Sequence, residues 1–267
     1  MSWTRVAGFR VVVAVLVALC ALPSRMRAAC TAVDPTHAAW SALLDRWVVD
    51  GGVDYAGWKR ADQAPLNAYL ATLSGACAAD YERWSPQERI AFWLNAYNAY
   101  TIRLILDHYP IGSIRQIGWL PLAAFRERFI PMDGLKGGAI SLNDIENGTL
   151  RSDFREPRIH FALVCASRSC PPLRRDAYRG PDLDPQLDDQ ARRFLQDPTK
   201  NRLDAATRTL SLSSIFKWFR GDFEAAAPSL SAYVAPFVGE TPAALDGFDI
   251  AFLDYDWSLN DRPGGKP

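Results

Sequence analysis

The stretch from Pro157 to Leu173, PRIHFALVCASRSCPPL, holds one histidine and two cysteines within a short span. A cysteine attacks as the thiolate, so it needs a base or a positive environment, and the base needs a third group to orient it. Cys170 precedes Pro171 and Pro172. Proline suits the first turn of a helix, so Cys170 is expected at an N-cap, where backbone N–H groups and the helix dipole lower a thiol pKa. Alternation along the run puts Cys165 on the opposite face from His160. The spacing therefore favours Cys170 as nucleophile and His160 as base. Glu146, Asn95 or Asn98 would orient the base or stabilise an oxyanion. Asn95, Asn98, Cys165 and Arg168 are the candidate substrate contacts.

Two other chemistries fit the same residues. Cys165 and Cys170 lie five apart across a turn and could close a disulfide that shapes a ligand-binding loop, with His160 a satisfied interior histidine. The third possibility is zinc on His160, Cys165 and Cys170. Its C-x4-C spacing sits at the edge of the usual range, and no fourth ligand is evident. The site is accordingly read without a metal and without a cofactor.

These residues must be held by particular elements. Ile159, Phe161 and Leu163 alternate with His160, Ala162 and Val164, which predicts a buried strand carrying His160 inward. The small residues after Val164 suit a loop at its end, a common place for chemistry. Ser85, Pro86 and Glu88 form an N-cap, a first-position proline and a capping box, opening a helix that runs to about His108. That helix is apolar on most sides, so Asn95 and Asn98, three apart on one face, must find partners. They either tie neighbouring loops to the helix or meet a substrate. Ser141 and Asp144 cap a short helix in SLNDIENGTLR, where Glu146 is either a solvated acid or a group at the core rim. IAFLDYDWSL, from Ile250 to Leu259, alternates and reads as a strand beside that of His160.

The N-terminus has its own pattern. Arg5 and Arg10 precede an apolar run from Val11 to Leu22, with Pro23 and then Ala28 and Ala29, the layout of a secretory signal peptide over residues 1–29. The apolar run is about half of what spans a bilayer, so no permanent membrane span is expected. Cleavage there removes four arginines and no acid, leaving 26 of the 30 basic residues against all 30 acidic ones. A net charge of −4 gives no reason to expect nucleic acid as a partner. The four remaining cysteines (Cys30, Cys77, Cys165, Cys170) allow three pairings in an oxidising compartment. Residues 30–260 are read as one domain and 261–267 as a disordered tail.

FWLNAYNAYTIRLIL, SLNDIENGTLR, PRIHFALVCASRSCPPL, LDDQARRFL, LSSIFKWF with Asp222 and Phe223, and YDWSLN together resemble the DUF547 family, a domain of unknown function, from about Trp40 to Asn260. The resemblance implies a histidine after the glutamate of the IE motif, where this chain has Asn147. The fold expected from the pattern is α+β, a helix-rich single domain of five to seven helices packed around a small central β-sheet. The function expected is an exported, periplasmic or secreted, thiol-dependent hydrolase or acyl transferase. It would act on a small-molecule or peptide substrate with an amide-like group from the cell envelope. The alternative is a non-catalytic ligand- or protein-binding module with a disulfide-shaped loop.

Overall fold

The computed structural model describes Met1 and residues 30–61, 63–120 and 122–264. The predicted signal peptide lies outside the described residues except for Met1.

One helix, Pro86–His108, is the axis of the main core. Its start is the capping box expected from the sequence: Glu88 N–H donates to Ser85 Oγ at 3.2 Å, and Ser85 N–H donates to Glu88 Oε2 at 2.7 Å. Phe92, Trp93, Leu94, Ala96 and Leu104 are all buried, so apolar contacts hold it on every side. Helices Ala38–Trp47, Tyr55–Arg60 and Ala64–Ser74 form one flank. There Trp40 stacks on Tyr69 at 5.6 Å and Trp47 on Trp58 at 6.0 Å. A second, smaller core gathers Phe161, Phe194, Leu212, Phe216 and Phe223.

The fold is α+β and helix-rich with small sheets of two and three strands among the described residues, as expected. Two of the sheets among the described residues are two-stranded, Val48–Val49 with Gly52–Val53 and Ile130–Met132 with Gly138–Ile140. The third has three strands in the order Arg202–Asp204, Thr209–Ser213, Asp249–Leu253. Its first pair is antiparallel and its second parallel, with Leu210 opposite Ile250 and Leu212 opposite Phe252. This sheet borders the second core.

The His160 segment corrects the strand reading. Ile159–Ala162 is one helical turn, closed by Leu163 N–H to Ile159 C=O at 2.9 Å. Ile159, Phe161 and Ala162 are all buried, the first and last in the main core and Phe161 in the second. An apolar run buried on every side has no polar face to reveal its period, so alternation could not separate strand from helix. The chain becomes extended only at Leu163. The terminal strand is correspondingly Asp249–Leu253, and it pairs with Thr209–Ser213 rather than with a His160 strand.

The YDWSL segment beyond that strand nonetheless meets the cysteine loop. Arg168 N–H donates to Ser258 C=O at 2.9 Å and Asn260 N–H to Ala166 C=O at 3.0 Å. Order also continues past Asn260. Arg262 N–H donates to Val53 C=O at 2.8 Å, so the predicted tail is tied down at its start. No described helix is long and apolar enough to cross a membrane.

Candidate active site

The helix that carries Glu146 begins at the predicted cap, with Asp144 N–H on Ser141 Oγ and Ser141 N–H on Asp144 Oδ2. It then widens over Glu146–Leu150 into a π-turn, where Arg151 N–H reaches Glu146 C=O. Such insertions shift the side-chain register and recur at functional sites. Here Glu146 and Asn147 line a cavity of about 410 Å³, a size suited to a small ligand. Its walls are mainly apolar: Leu122, Phe125, Leu163, Ile215, Trp218 and Trp257. Its polar groups come from Tyr97, Asn143, Glu146, Asn147, His160 and Tyr255.

Glu146 is the titrating group of this cleft. Burial pushes its carboxyl pKa up to about 7, against the opposing pull of Arg151 and a hydrogen bond from Tyr97. At neutral pH it is therefore poised between acid and base. Tyr97 and Tyr255 are both held above the ordinary phenol range by burial and so keep their protons.

His160 is buried, and its ring stacks on Phe219 with centroids 3.9 Å apart. Its Nε2 lies 2.7 Å from Asp222 Oδ2. Asp222 also accepts from Arg151 through Nε at 2.6 Å and Nη2 at 2.8 Å, a bidentate pair. These donors, Arg151 first and His160 second, hold the Asp222 carboxyl well below its usual range. Burial lowers the His160 pKa, so the ring is neutral. Facing a carboxylate, the neutral ring donates its Nε2 proton, which leaves Nδ1 as the basic nitrogen. The group that orients the His160 ring is thus Asp222, in helix Arg220–Ala226, rather than Glu146 or the two asparagines. Asp222 was visible in the sequence only as a residue of the family-like segment; nothing local linked it to a histidine 62 positions earlier.

Asn147 stands where the resemblance implies a histidine. Its Oδ1 accepts from Arg151 Nη1 at 2.6 Å and its Nδ2 donates to Asn143 Oδ1 at 2.9 Å. It therefore braces the arginine that braces Asp222.

Cys165 and Cys170 are joined as a disulfide, with Cα atoms 6.1 Å apart, and both line the cleft. This form has no resting thiol at either position. Cys170 is also not at a helix N-cap, since Pro171 and Pro172 lead into irregular chain. The Cys170 sulfur accepts from Cys165 N–H at 2.8 Å and from Tyr255 O–H at 3.3 Å. Cys30 and Cys77 form a second disulfide, outside the cleft lining.

The other candidates do not reach the cleft. Asn95 donates to Tyr178 C=O at 2.8 Å and accepts from Tyr178 N–H at 3.0 Å. Asn98 donates to Ala162 C=O and accepts from Val164 N–H, both at 2.9 Å. Each amide is a peg between the long helix and a backbone segment, and Asn98 sets the exit of the His160 turn. Arg168 is exposed and lines a separate polar cavity of about 290 Å³, on the far side of the Cys170–Pro171 wall. Among the described residues no cluster of histidine, cysteine or acidic side chains has the arrangement of a metal site.

Fold and site together define a helix-rich α+β protein with an apolar cleft, an acid poised near neutrality and a carboxylate-backed histidine. Residues 81–195 match the family model described as a protein of unknown function, DUF547, so the resemblance read from the sequence is shown over that segment. The match takes in the long helix, Glu146, Arg151, His160 and the cysteine loop, and ends before Asp222 and Tyr255. No curated protein and no solved structure matches the chain.

Proposed function

We propose that this protein binds, in the Glu146 cleft, a small molecule with an apolar body and an acyl-type head, and hydrolyses or transfers the acyl group. The observation that carries this reading is the Glu146 carboxyl, pushed up to about 7 inside a cavity whose remaining walls are mostly apolar. Ionised Glu146 takes a proton from water as its oxygen bonds to the carbonyl carbon of an ester or amide. When the bond to the leaving oxygen or nitrogen breaks, the protonated carboxyl returns that proton to the leaving group. Tyr255, which keeps its proton, is a hydroxyl donor for the charge that develops on the carbonyl oxygen. Export through the predicted signal peptide belongs to the same proposal, and two disulfides support an oxidising compartment.

The test is release of product from a panel of N-acyl amides and acyl esters of graded chain length, read by mass spectrometry. Glu146→Gln should reduce turnover by about a hundredfold, and Ile215→Trp, which fills the cleft, should shorten the chain accepted. Turnover indifferent to both changes overturns the reading. Tight binding of the same compounds without product would instead make this a binding module.

One observation favours a second reading, in which Cys170 is the nucleophile. Cys165 N–H and Tyr255 O–H, both directed at the Cys170 sulfur, would stabilise its thiolate. A small-molecule thiol would first have to attack Cys165, forming a mixed disulfide there and releasing Cys170. Under this reading dithiothreitol switches activity on and Cys170→Ser abolishes it; under the Glu146 reading neither holds.

A further inference from the structure

The cleft opens beside an apolar tip that no described residue covers. Trp119 is fully exposed at 102% and Leu120 at 74%, while most other large apolar side chains of the described residues are buried or half-buried. Their loop is built to hold them outward. Gly118 has φ +82°, and a Cβ there would lie 2.5 Å from the Ala123 side chain, so the chain doubles back tightly at that point. Ala123 N–H then donates to Leu120 C=O at 3.0 Å, closing the turn. Two residues past the tip the chain enters the cleft, since Leu122 and Phe125 both line it. Leu122 is itself 41% exposed, and Trp218, on the same cleft, 47%. Exposed apolar side chains thus stand both at the tip and, at Leu122 and Trp218, on the cavity lining.

The charges at the foot of the tip have a bias. Arg115 and Arg126 are exposed, and Arg115 lies over the Trp257 ring at 5.5 Å, which anchors it to the cleft mouth. Glu127 is the acid among them, and Arg128 is turned to Asp144 at 3.4 Å. An exposed tryptophan and leucine, with exposed Arg115 and Arg126 on either side in the chain, match the headgroup boundary of a bilayer. Indole sits well at that boundary, and guanidinium meets lipid phosphate there.

We infer that the Trp119–Leu120 tip docks this protein on a phospholipid bilayer, so that the cleft draws its acyl-bearing ligand directly from the membrane. This rests on the acyl-binding reading of the cleft and narrows it to membrane amphiphiles. One inserted indole and one leucine give reversible, peripheral attachment, strengthened by anionic lipid through Arg115 and Arg126.

The test uses the full chain and vesicles of phosphatidylcholine with and without phosphatidylglycerol. Wild type should cosediment with both, more with the anionic vesicles and less in high salt, and brominated lipid should quench its tryptophan fluorescence. Trp119→Ser/Leu120→Ser should weaken vesicle binding by about tenfold or more with an unchanged melting temperature. Its turnover of short, water-soluble acyl substrates should also stay unchanged. Glu146→Gln should bind vesicles as wild type does, so attachment is measured separately from the chemistry of the cleft. No binding by wild type, or equal binding by the double variant, overturns the inference. Loss of a dimer in the double variant, with no vesicle binding by either protein, would identify a second copy of this chain as the occupant instead.

Discussion

Asp222 Oδ2 lies 2.7 Å from His160 Nε2 while the same carboxylate is gripped by Arg151. One acid therefore joins the histidine turn, the π-turn helix and helix Arg220–Ala226, which lies between the second and third strands of the three-stranded sheet. Asp222→Asn keeps the shape but loses the charge on which both donors depend. It should cost about 2 kcal/mol in denaturant unfolding, the range of a charged hydrogen bond lessened by partial exposure. Because the Asp222 pKa is depressed in the folded protein, its contribution is complete above the ordinary carboxyl pKa and is lost as pH falls below about 4. The gap between wild type and variant should close over that acid range.

Glu146 has the opposite sign. Its folded pKa, about 7, is above the ordinary 4.5, so the unfolded chain loses this proton first as pH rises. Wild type should lose stability between about pH 4.5 and 7 on this account, with no further loss above. Glu146→Gln removes that penalty and should be more stable than wild type at pH 8 by about 2 kcal/mol. That is less than the full conversion of the shift, because the side chain is partly exposed. Gain of stability with loss of turnover would be the mark of a functional acid, and thermal melts at pH 4.5 and pH 8 would reveal it.

Asn98 hydrogen-bonds two buried backbone groups at the exit of the His160 turn. Asn98→Ala leaves the Ala162 carbonyl and the Val164 N–H buried and unpaired, and should destabilise by about 3 kcal/mol. Asn98→Asp retains the acceptor for Val164 N–H but not the donor, and should fall between the two. Equal stability of all three in urea would refute the peg.

The two disulfides should differ in weight. Cys30–Cys77 spans 47 positions and Cys165–Cys170 only five. Loop-closure entropy then assigns them about 4 and 2 kcal/mol respectively. Intact mass after alkylation without reduction should show none of these four cysteines modified. The paired Cys→Ala variants should differ in unfolding free energy in that order.

Much of the helical frame was legible because it depends on local signals. Ser85 with Glu88 and Ser141 with Asp144 announce their helix starts, and both capping boxes form. The buried pair Asn95 and Asn98 could be recognised as needing partners, but the partners, Tyr178 and the Ala162–Val164 exit, are more than 60 residues away. The expected strand at His160 is a helical turn instead, because burial on all sides erases the polar face that would show a period. Glu146 could be named, but not its raised pKa, which comes from burial under a π-turn that no local pattern announces. The Asp222 partner of His160 and the apolar tip at Trp119 depend on tertiary placement. Periodicity and capping cannot reach either.

The most direct measurement is the titration of Glu146 itself, followed by carbon NMR of glutamate side-chain carboxyls labelled with ¹³C, with Glu146→Gln used to assign the signal. The midpoint should lie near the pH 7 that burial imposes and move when an acyl ligand fills the cleft. A midpoint at the ordinary value of 4.5, unchanged by ligand, would overturn the role proposed for Glu146.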